Sequence, residues 1–352
     1  MVTITNEPPP RIVVGVDSHK DKHQAAVLDA QGALLGNQCF AASTDGYHEL
    51  EEWLATFGEV DRVGIECTGS YAAGLTRFLR ERHVAVLEVN STHRATTARR
   101  GKDDAIDAEM AARKVLSGEA SAQAKDTTGS IESIRLLKLS RESAIKARTS
   151  ALLQIGDVLI TAPSELREHV EAAGGLRHRV NRAGALRPDL EHLDEPLQAA
   201  KFTLRLLSRR VKNLDEEIAT MDVQLSRLVE ACAPNLLSCR GIGVQHSATL
   251  LITAGQNLDR LSNDGSFARL CGVAPIPISS GKTNRMRLHR GGNRQANKTL
   301  HLIAVVRLRV DPRTQAYMER RRAEGLSKRD VIRCLKRFIA REVFNALKLD
   351  LL

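Results

Sequence analysis

Four carboxylates have positions suited to metal chemistry. Asp17 and Glu66 each end a predicted strand, and Asp104 and Asp107 lie three residues apart on one face of a predicted helix. If the strand ends adjoin beside that helix, the four acids share one pocket, where their mutual repulsion favours a divalent cation. Carboxylate oxygens suit Mg²⁺ or Mn²⁺. Two such ions about 3.5–4 Å apart would stabilise the oxygens of a phosphodiester during cleavage.

Other polar residues near these acids have simpler interpretations. Asp104 stands at the start of its helix and could act only as a cap. His19 and His23 lie between two predicted strands rather than on a helix, so a spacing of four does not bring their rings together. We interpret both histidines as surface residues near the site at best.

A second candidate site lies in the basic last third of the chain. The segment 275–283 (PIPISSGKT) is predicted to be a loop that carries Ser279 and Ser280 beside Gly281. A serine hydroxyl is a poor nucleophile unless a base, a cation or a metal activates it. The nearby cations could hold a scissile phosphate and offset developing charge. The candidate nucleic-acid contacts are Lys282, Arg285, Arg287, Arg290, Asn293, Arg294 and Lys298, with Gly241 and Gly243 of an Arg-Gly-Ile-Gly turn whose amides could approach a phosphate.

The elements that must position these residues follow from hydrophobic periodicity. In the first 116 residues the order is three strands, helix, strand, helix, strand, helix, as in an RNase H-like mixed sheet flanked by helices. The predicted strands cover 11–17, 24–29, 33–40, 60–66 and 84–89, and the helices cover 45–57, 71–82 and 104–116. Residues 236–243 with the following helical run resemble a helix–hairpin–helix element, and further helices are predicted over 299–310 and 328–347.

Two long helical stretches separate the candidate sites. They cover residues 131–160 and 197–229, with a Gly-, Pro- and His-containing break between them at 172–196. Apolar residues recur every three or four positions in the second stretch, at Leu207, Val211, Leu214, Ile218, Met221 and Leu225. This pattern fits either a coiled coil with a partner or a helical connector within one chain, and the sequence does not choose between them.

Composition narrows the class of partner. The chain has 352 residues, a formal net charge of +10 and 3% aromatic residues, which favours a polyanion but argues against reading bases mainly on aromatic platforms. Residues 239–352 contain 22 Lys and Arg against 8 Asp and Glu, so the positive excess lies there. Six scattered cysteines argue against a zinc site or a disulfide framework. With neither a signal peptide nor a membrane span in the sequence, we expect a soluble, cytoplasmic protein.

Several motifs together resemble one family. They are VVGVDSHKD, IECTGSY, GKDDAIDAEMAAR, RGIG, CGVAPIPISSGKT, RGGN and GLSKRDVIRCLKRFIARE. In this order, over nearly the whole chain, they are similar to the DEDD-type insertion-sequence transposases of the IS110 and IS1111 group, also called bridge-RNA-guided recombinases. One departure is Asp103, where the family usually has a small hydroxyl residue, so three neighbouring acids compete for two metal-binding roles.

The resemblance implies a RuvC-like domain over residues 1–128, a coiled-coil connector over 129–232 and a basic, mainly helical transposase domain over 233–352. Asp17, Glu66, Asp104 and Asp107 match the family's catalytic metal-binding acids, and Ser280 matches its nucleophile, with Ser279 as the adjacent alternative. It further implies a phosphoserine–DNA intermediate, with a structured guide RNA and with target and donor DNA as partners. The protein would be a prokaryotic homodimer or homotetramer whose domains act in trans, and it would be associated with the nucleoid.

Three other functions stay open. A metal-dependent nuclease or junction resolvase would need only the acids, and a DNA invertase would differ mainly in its genomic neighbourhood. A non-catalytic nucleic-acid scaffold would use the acids as caps and would be indifferent to Mg²⁺. The scaffold is the weakest alternative, because it has no need to gather four acids in a basic protein.

Overall fold

The computed structural model describes residues 9–66, 68–89, 103–172, 174–281, 283–289 and 291–352. The chain divides into two compact units. One comprises residues 1–129 and 254–267, and the other comprises 130–253 and 268–351. Among the described residues, no helix combines the length and the apolar composition needed to cross a bilayer.

The N-terminal unit is built on a five-stranded mixed sheet. Its elements are β1 (Arg11–Ser18), β2 (Lys22–Leu28), β3 (Leu34–Ala41), α1 (Thr44–Ala55), β4 (Glu59–Ile65), α2 (Ala73–Glu81), β5 (Ala85–Glu88) and α3 (Asp104–Leu116). The strand order is β3-β2-β1-β4-β5. β2 pairs antiparallel with both β1 and β3, whereas β4 pairs parallel with β1 and β5. The sequence therefore predicted the element order correctly, with boundaries shifted by a few residues.

The centre of the sheet is buried on both faces. β1 contributes Ile12, Val14 and Val16 to one core cluster, which also contains side chains from α1 and α2. On the other side, Val13 packs with Ala111 and Val115 of α3. A near-continuous apolar strand such as RIVVGV fits this central position, since both of its faces are covered.

The second unit is mainly helical. Its helices are α4 (Gly129–Thr161), α5 (Ser164–Glu171), α6 (Leu176–Ala185), α7 (Pro196–Cys232), α8 (Pro234–Ser238), α9 (Val244–Ala254), α10 (Asp264–Leu270), α11 (Arg294–Val310), α12 (Pro312–Ala323) and α13 (Lys328–Leu351), where α4 and α10 begin at residues of the first unit. A short 3-10 helix, Leu258–Arg260, belongs to the first unit. α5, α6, α10 and α12 were not predicted.

The two long helices pair within one chain. Arg141 of α4 makes a bidentate ion pair with Asp222 of α7, at 2.6 and 3.1 Å, and Arg148 pairs with Asp215. Because the partner's number falls as the arginine's number rises, the helices run antiparallel. α5 and α6 pack on this pair through a shared apolar cluster. These contacts favour the connector interpretation of the apolar stripe; the oligomeric state stays a prediction.

A β-hairpin replaces the loop that the sequence predicted. β6 (Pro275–Ser280) pairs antiparallel with β7 (Thr283–Leu288), and Ser280 faces Thr283 across the turn. Gly281 has a φ of +54° in that turn, a value that L-residues other than glycine rarely adopt. The loop prediction was wrong because prolines are unusual inside strands. Pro275 and Pro277 are exposed here, in a sheet of two strands where each strand has a free edge.

Candidate functional site

The acid site depends on how closely α3 approaches the sheet. A Cβ at Gly15 of β1 would overlap the backbone of Ala108 and Ala112 on α3, so only glycine fits there. Ala108, Ala111 and Ala112 are fully or almost fully buried. This small-residue contact brings the first turn of α3 to the end of β1. Two acids in that first turn also face the positive end of the helix dipole, which favours them there.

The four predicted acids influence one another electrostatically. Burial raises the pKa of the Asp17 carboxyl, and the charges of Asp104 and Asp107 raise it further, while His19 opposes the rise. Burial likewise raises the pKa of Glu66, and Asp17 and Asp107 add to that rise. Asp17 is therefore within electrostatic reach of the other three acids, whereas only Asp104 of those three lies close enough to share a ligand group with it among the described residues.

Asp103 has a different role from its neighbours. Its side chain accepts a hydrogen bond from the backbone N–H of Ala105 at 3.1 Å and thereby caps α3. The capping role that the sequence allowed for Asp104 thus belongs to Asp103. Asp104 lies inside the helix, and its carboxylate contacts His19 and Lys22 instead.

A histidine and a lysine complete the surroundings of Asp104. Nε2 of His19 lies 3.2 Å from Oδ2 of Asp17 and 3.2 Å from Oδ1 of Asp104. Nζ of Lys22 lies 2.9 Å from Oδ2 of Asp104 and, by donating to it, lowers the pKa of that carboxyl. One ligand atom each from Asp17, His19 and Asp104 lie within 4.8 Å of one another, a spacing suited to one cation.

His19 and Lys22 were missed as site residues although a signal was present. β1 and β2 form a hairpin, so residues 19–21 turn directly beside the end of β1 where Asp17 stands. The interpretation of His23 as a surface residue was wrong. His23 is fully buried and stacks on Tyr47 at 5.8 Å between ring centroids, and burial lowers its pKa. Its side chain points into the core because the ring follows the alternation of β2.

A fifth acid lies next to Glu66. Glu88 ends β5, pairs with Ile65 in the sheet and raises the pKa of Glu66 through its charge. Burial raises the pKa of Glu88 itself, and the hydroxyl of Thr68 donates to its carboxylate. The sequence gave little signal for Glu88, because the adjacency of β4 and β5 depends on tertiary pairing.

The candidate nucleophiles stand at the hairpin turn. Ser279 and Ser280 are both exposed at the end of β6, with Ser279 opposite Asn284. Such exposure gives a phosphate access to either hydroxyl but supplies no general base among their strand partners. Both serines therefore stand as candidate nucleophiles at the turn.

The predicted nucleic-acid contacts differ in their exposure and in whether the structure describes them. Arg287, Arg294 and Lys298 are exposed, whereas Lys282, Arg290 and the side chain of Arg285 lie outside the described residues. Oδ1 of Asn293 accepts hydrogen bonds from Gln295 and Ala296 and caps α11, so only its amide nitrogen remains for a ligand.

The Arg-Gly-Ile-Gly turn links α8 to α9. Gly241 has a φ of +77°, and Gly243 is exposed with open space where a Cβ would be. The turn is anchored by Arg307, which donates to the carbonyl of Arg240 at 2.7 Å and pairs with Glu342 at 2.6 and 2.9 Å.

Carboxylates gathered at the ends of neighbouring strands are typical of metal-dependent enzymes that act on phosphodiesters. Comparison with known families agrees with that class. Residues 14–162 match a DEDD-type transposase model of the IS110 kind, and residues 233–319 match the model described as transposase IS116/IS110/IS902 family. Together the two matches span about two thirds of the chain, in the order of its two candidate sites. Over these two regions the chain is similar to transposases of the IS110 kind.

Two curated relatives carry insertion-element names. The chain is 32% identical over 122 residues to the "Insertion element IS110 uncharacterized 43.6 kDa protein" of Streptomyces coelicolor, covering 34% of this chain and 30% of that protein. It is 29% identical over 131 residues to the "Insertion element IS900 uncharacterized 42 kDa protein" of Mycobacterium paratuberculosis, covering 36% and 33%. The chain thus spans about a third of the length of each relative.

Proposed function

We propose that this protein is a DNA transposase that cuts and rejoins target and donor DNA. The observation that carries the proposal is the acid cluster of Asp17, Glu66, Asp104 and Asp107 in the unit that matches a DEDD transposase model. The strand order β3-β2-β1-β4-β5, with one antiparallel hairpin beside parallel strands, supports a RuvC-like fold for residues 1–128. In this proposal residues 129–232 are the connector and 233–352 the transposase domain, with a helix–hairpin–helix-like turn at Gly241 and Gly243.

The donor set fits a divalent cation. Burial and neighbouring negative charge disfavour the ionised forms of Asp17 and Glu66 and so raise their pKa values. A bound cation would stabilise the ionised forms. Mg²⁺ or Mn²⁺ held by the four acids would supply positive charge for the phosphate oxygens at the reacting centre. His19 and Lys22 contact the carboxylate of Asp104 and hold it in position.

Ser280 is the proposed nucleophile. Its Oγ forms a bond to phosphorus while one P–O bond of the strand breaks. The proton that the serine loses is balanced by the proton that the leaving oxygen gains, so the cut end carries a hydroxyl. A hydroxyl end of another strand then attacks the phosphoserine, which restores the serine and joins the new strands. This exchange conserves the number of phosphodiester bonds and requires no external energy source. The proposal extends to a structured guide RNA and a homodimer or homotetramer acting in trans, both from the family resemblance.

The basic face of the second unit is the proposed nucleic-acid contact. Arg287, Arg294 and Lys298 are exposed along β7 and α11, and Lys282, Arg285 and Arg290 belong to the same segment of sequence. A run without any acid between Asp264 and Asp311 favours phosphate contacts along it.

The proposal is tested by scoring excised circular junctions in cells that carry the gene with its native flanks. We expect junctions from the wild type and from Asp21→Asn, an exposed acid outside the cluster. We expect none from Asp107→Asn or Ser280→Ala, while Ser279→Ala retains them. Junctions from Ser280→Ala with none from Asp107→Asn would favour a metal-only resolvase instead. Junctions from both variants would overturn the proposal.

A further inference from the structure

A pocket of about 590 Å³ lies in the second unit at the base of the β6–β7 hairpin. Three elements form its walls. The hairpin supplies Pro275, Met286 and Arg287; α12 supplies Tyr317, Arg320 and Arg321; and α13 supplies Arg333, Arg337 and Phe338. Its volume is within the range of pockets that bind small ligands. None of these residues belongs to the acid cluster, and Ser280 is not among those that line the pocket.

The walls combine flat apolar groups with guanidinium groups. Tyr317 and Phe338 meet edge to face, with 5.6 Å between ring centroids at 88°. Arg320 lies 5.4 Å from the centre of the Tyr317 ring. Phe338 and Met286 remain 52% and 64% exposed at the pocket, which leaves apolar surface that an occupant would cover.

The pocket is strongly cationic. Five arginines line it, and Asp330 is the single acid among its described lining residues. Asp330 is already compensated, because Arg333 donates to one oxygen at 2.6 Å and Ser327 to the other at 2.6 Å. Arg320 and Arg321 both pair with Glu324, which caps the end of α12. The five arginines outnumber the two acids Asp330 and Glu324, so the net positive charge favours an anionic occupant.

An occupant with both a flat ring and a negative group fits this combination best. We propose that the pocket takes one unpaired nucleotide of a DNA strand, with its base against Phe338 and Tyr317 and its phosphate among the arginines. Base–aromatic stacking needs a ring face, and an arginine plane can serve the same base or its phosphate. Aromatic residues make up 3% of the chain, too few for a continuous stacking platform, but one pocket requires only two rings.

The distance between the pocket and Ser280 indicates how a captured base could act in the proposed reaction. Pro275 in the wall and Ser280 at the turn are the two ends of β6, which at about 3.3 Å per residue places them roughly 17 Å apart. That distance is about half a turn of B-DNA. This inference deepens the proposed function, on which it rests: a base captured there would hold the strand in a fixed register relative to the serine.

The test measures binding without cleavage. DNA duplexes of 30 base pairs, one fully paired and one with a single extrahelical 2-aminopurine, are titrated with the full-length protein in EDTA at fixed salt. We expect the bulged duplex to bind at least about 5-fold more tightly, the low end for one stacked base, with quenched 2-aminopurine fluorescence. Phe338→Ala should abolish both effects, whereas Phe338→Trp should retain them. Leu349→Ala, an exposed apolar residue on the same helix, is the matched control.

Three results would overturn the inference. They are equal binding of the two duplexes by the wild type, an unchanged preference in Phe338→Ala, and displacement of the bulged duplex by micromolar free deoxyadenosine monophosphate, which would indicate a mononucleotide site instead. The binding measurement needs neither Mg²⁺ nor Ser280. If the protein prefers the bulged duplex but forms no junctions in cells, the proposed transposition is refuted and the nucleotide pocket is not.

Discussion

The two candidate sites differ in how far the fold prepares them. The acid site is fixed by a close helix–sheet contact at Gly15, and its Asp104 carboxylate already contacts Lys22 and His19. Ser280, in contrast, stands exposed at the turn of a two-stranded hairpin. The difference suits two separate tasks. The acid site needs fixed charges, whereas the serine at the hairpin turn needs access to a substrate. An exposed serine hydroxyl is also unreactive as a nucleophile until a phosphate and an activating group are both next to it.

The largest expected effect comes from removing the rigidity of the acid site. Gly15→Val should lower the free energy of unfolding by about 3 kcal/mol or more, because its side chain must displace the backbone of α3. Denaturant unfolding measures this change. Gly69→Ala, where a Cβ meets nothing within 4 Å, should be neutral. Near-wild-type stability of Gly15→Val would mean that α3 does not pack so tightly.

Removing one charge from the cluster should separate stability from function. The raised pKa of Asp17 means that the folded protein favours the protonated carboxyl. The stability that this protonated form contributes is lost as the pH rises through the folded pKa. Asp17→Asn should therefore melt at or above the wild-type temperature at pH 7 in EDTA. It should also lose the Mg²⁺-dependent rise in melting temperature and reduce recombination more than about 100-fold.

Asp21→Asn is the control for this change, and it should melt and respond to Mg²⁺ like the wild type. A wild type that Mg²⁺ does not stabilise, or an Asp17→Asn variant that Mg²⁺ still stabilises fully, would count against a cation at this cluster.

A moderate effect is expected from the buried histidine beneath the acid site. Burial lowers the pKa of His23, so the unfolded chain binds its proton first as the pH falls below about 6.5. Stability should then decrease by at most about 1.4 kcal/mol per pH unit from this group. His23→Phe, which keeps a ring against Tyr47, should remove that part of the pH dependence in urea unfolding between pH 7 and 5. An identical pH dependence in both proteins would show that the ring is not held neutral.

The smallest effect should come from one basic residue of the hairpin. Arg287→Ala should weaken DNA binding by a similar factor for every paired sequence and reduce the slope of log affinity against log salt by about 0.9. Arg209→Ala, an exposed arginine on α7, is the charge-matched control. A loss confined to one DNA sequence would indicate base reading rather than a phosphate contact.

Local patterns predicted much of the first unit and less of the second. Apolar runs ending in acids located β1 and β4, and their parallel adjacency brought Asp17 and Glu66 together as expected. Tertiary pairing decided the rest: Glu88 joins the acids only because β5 lies beside β4. Similarly, the apolar stripe of α7 could not distinguish a partner from α4 of the same chain, because both would cover the same face.

The most direct test of the account is the isolation of a covalent protein–DNA product. Protein recovered from cells undergoing recombination is digested with nuclease and protease, and the peptide carrying Ser279 and Ser280 is examined by mass spectrometry. The account predicts a nucleotide phosphate linked to Ser280, lost in Asp107→Asn and in Ser280→Ala but present in Ser279→Ala. An unmodified peptide from cells in which circular junctions accumulate would contradict serine catalysis, leaving the acid site to cut DNA by itself.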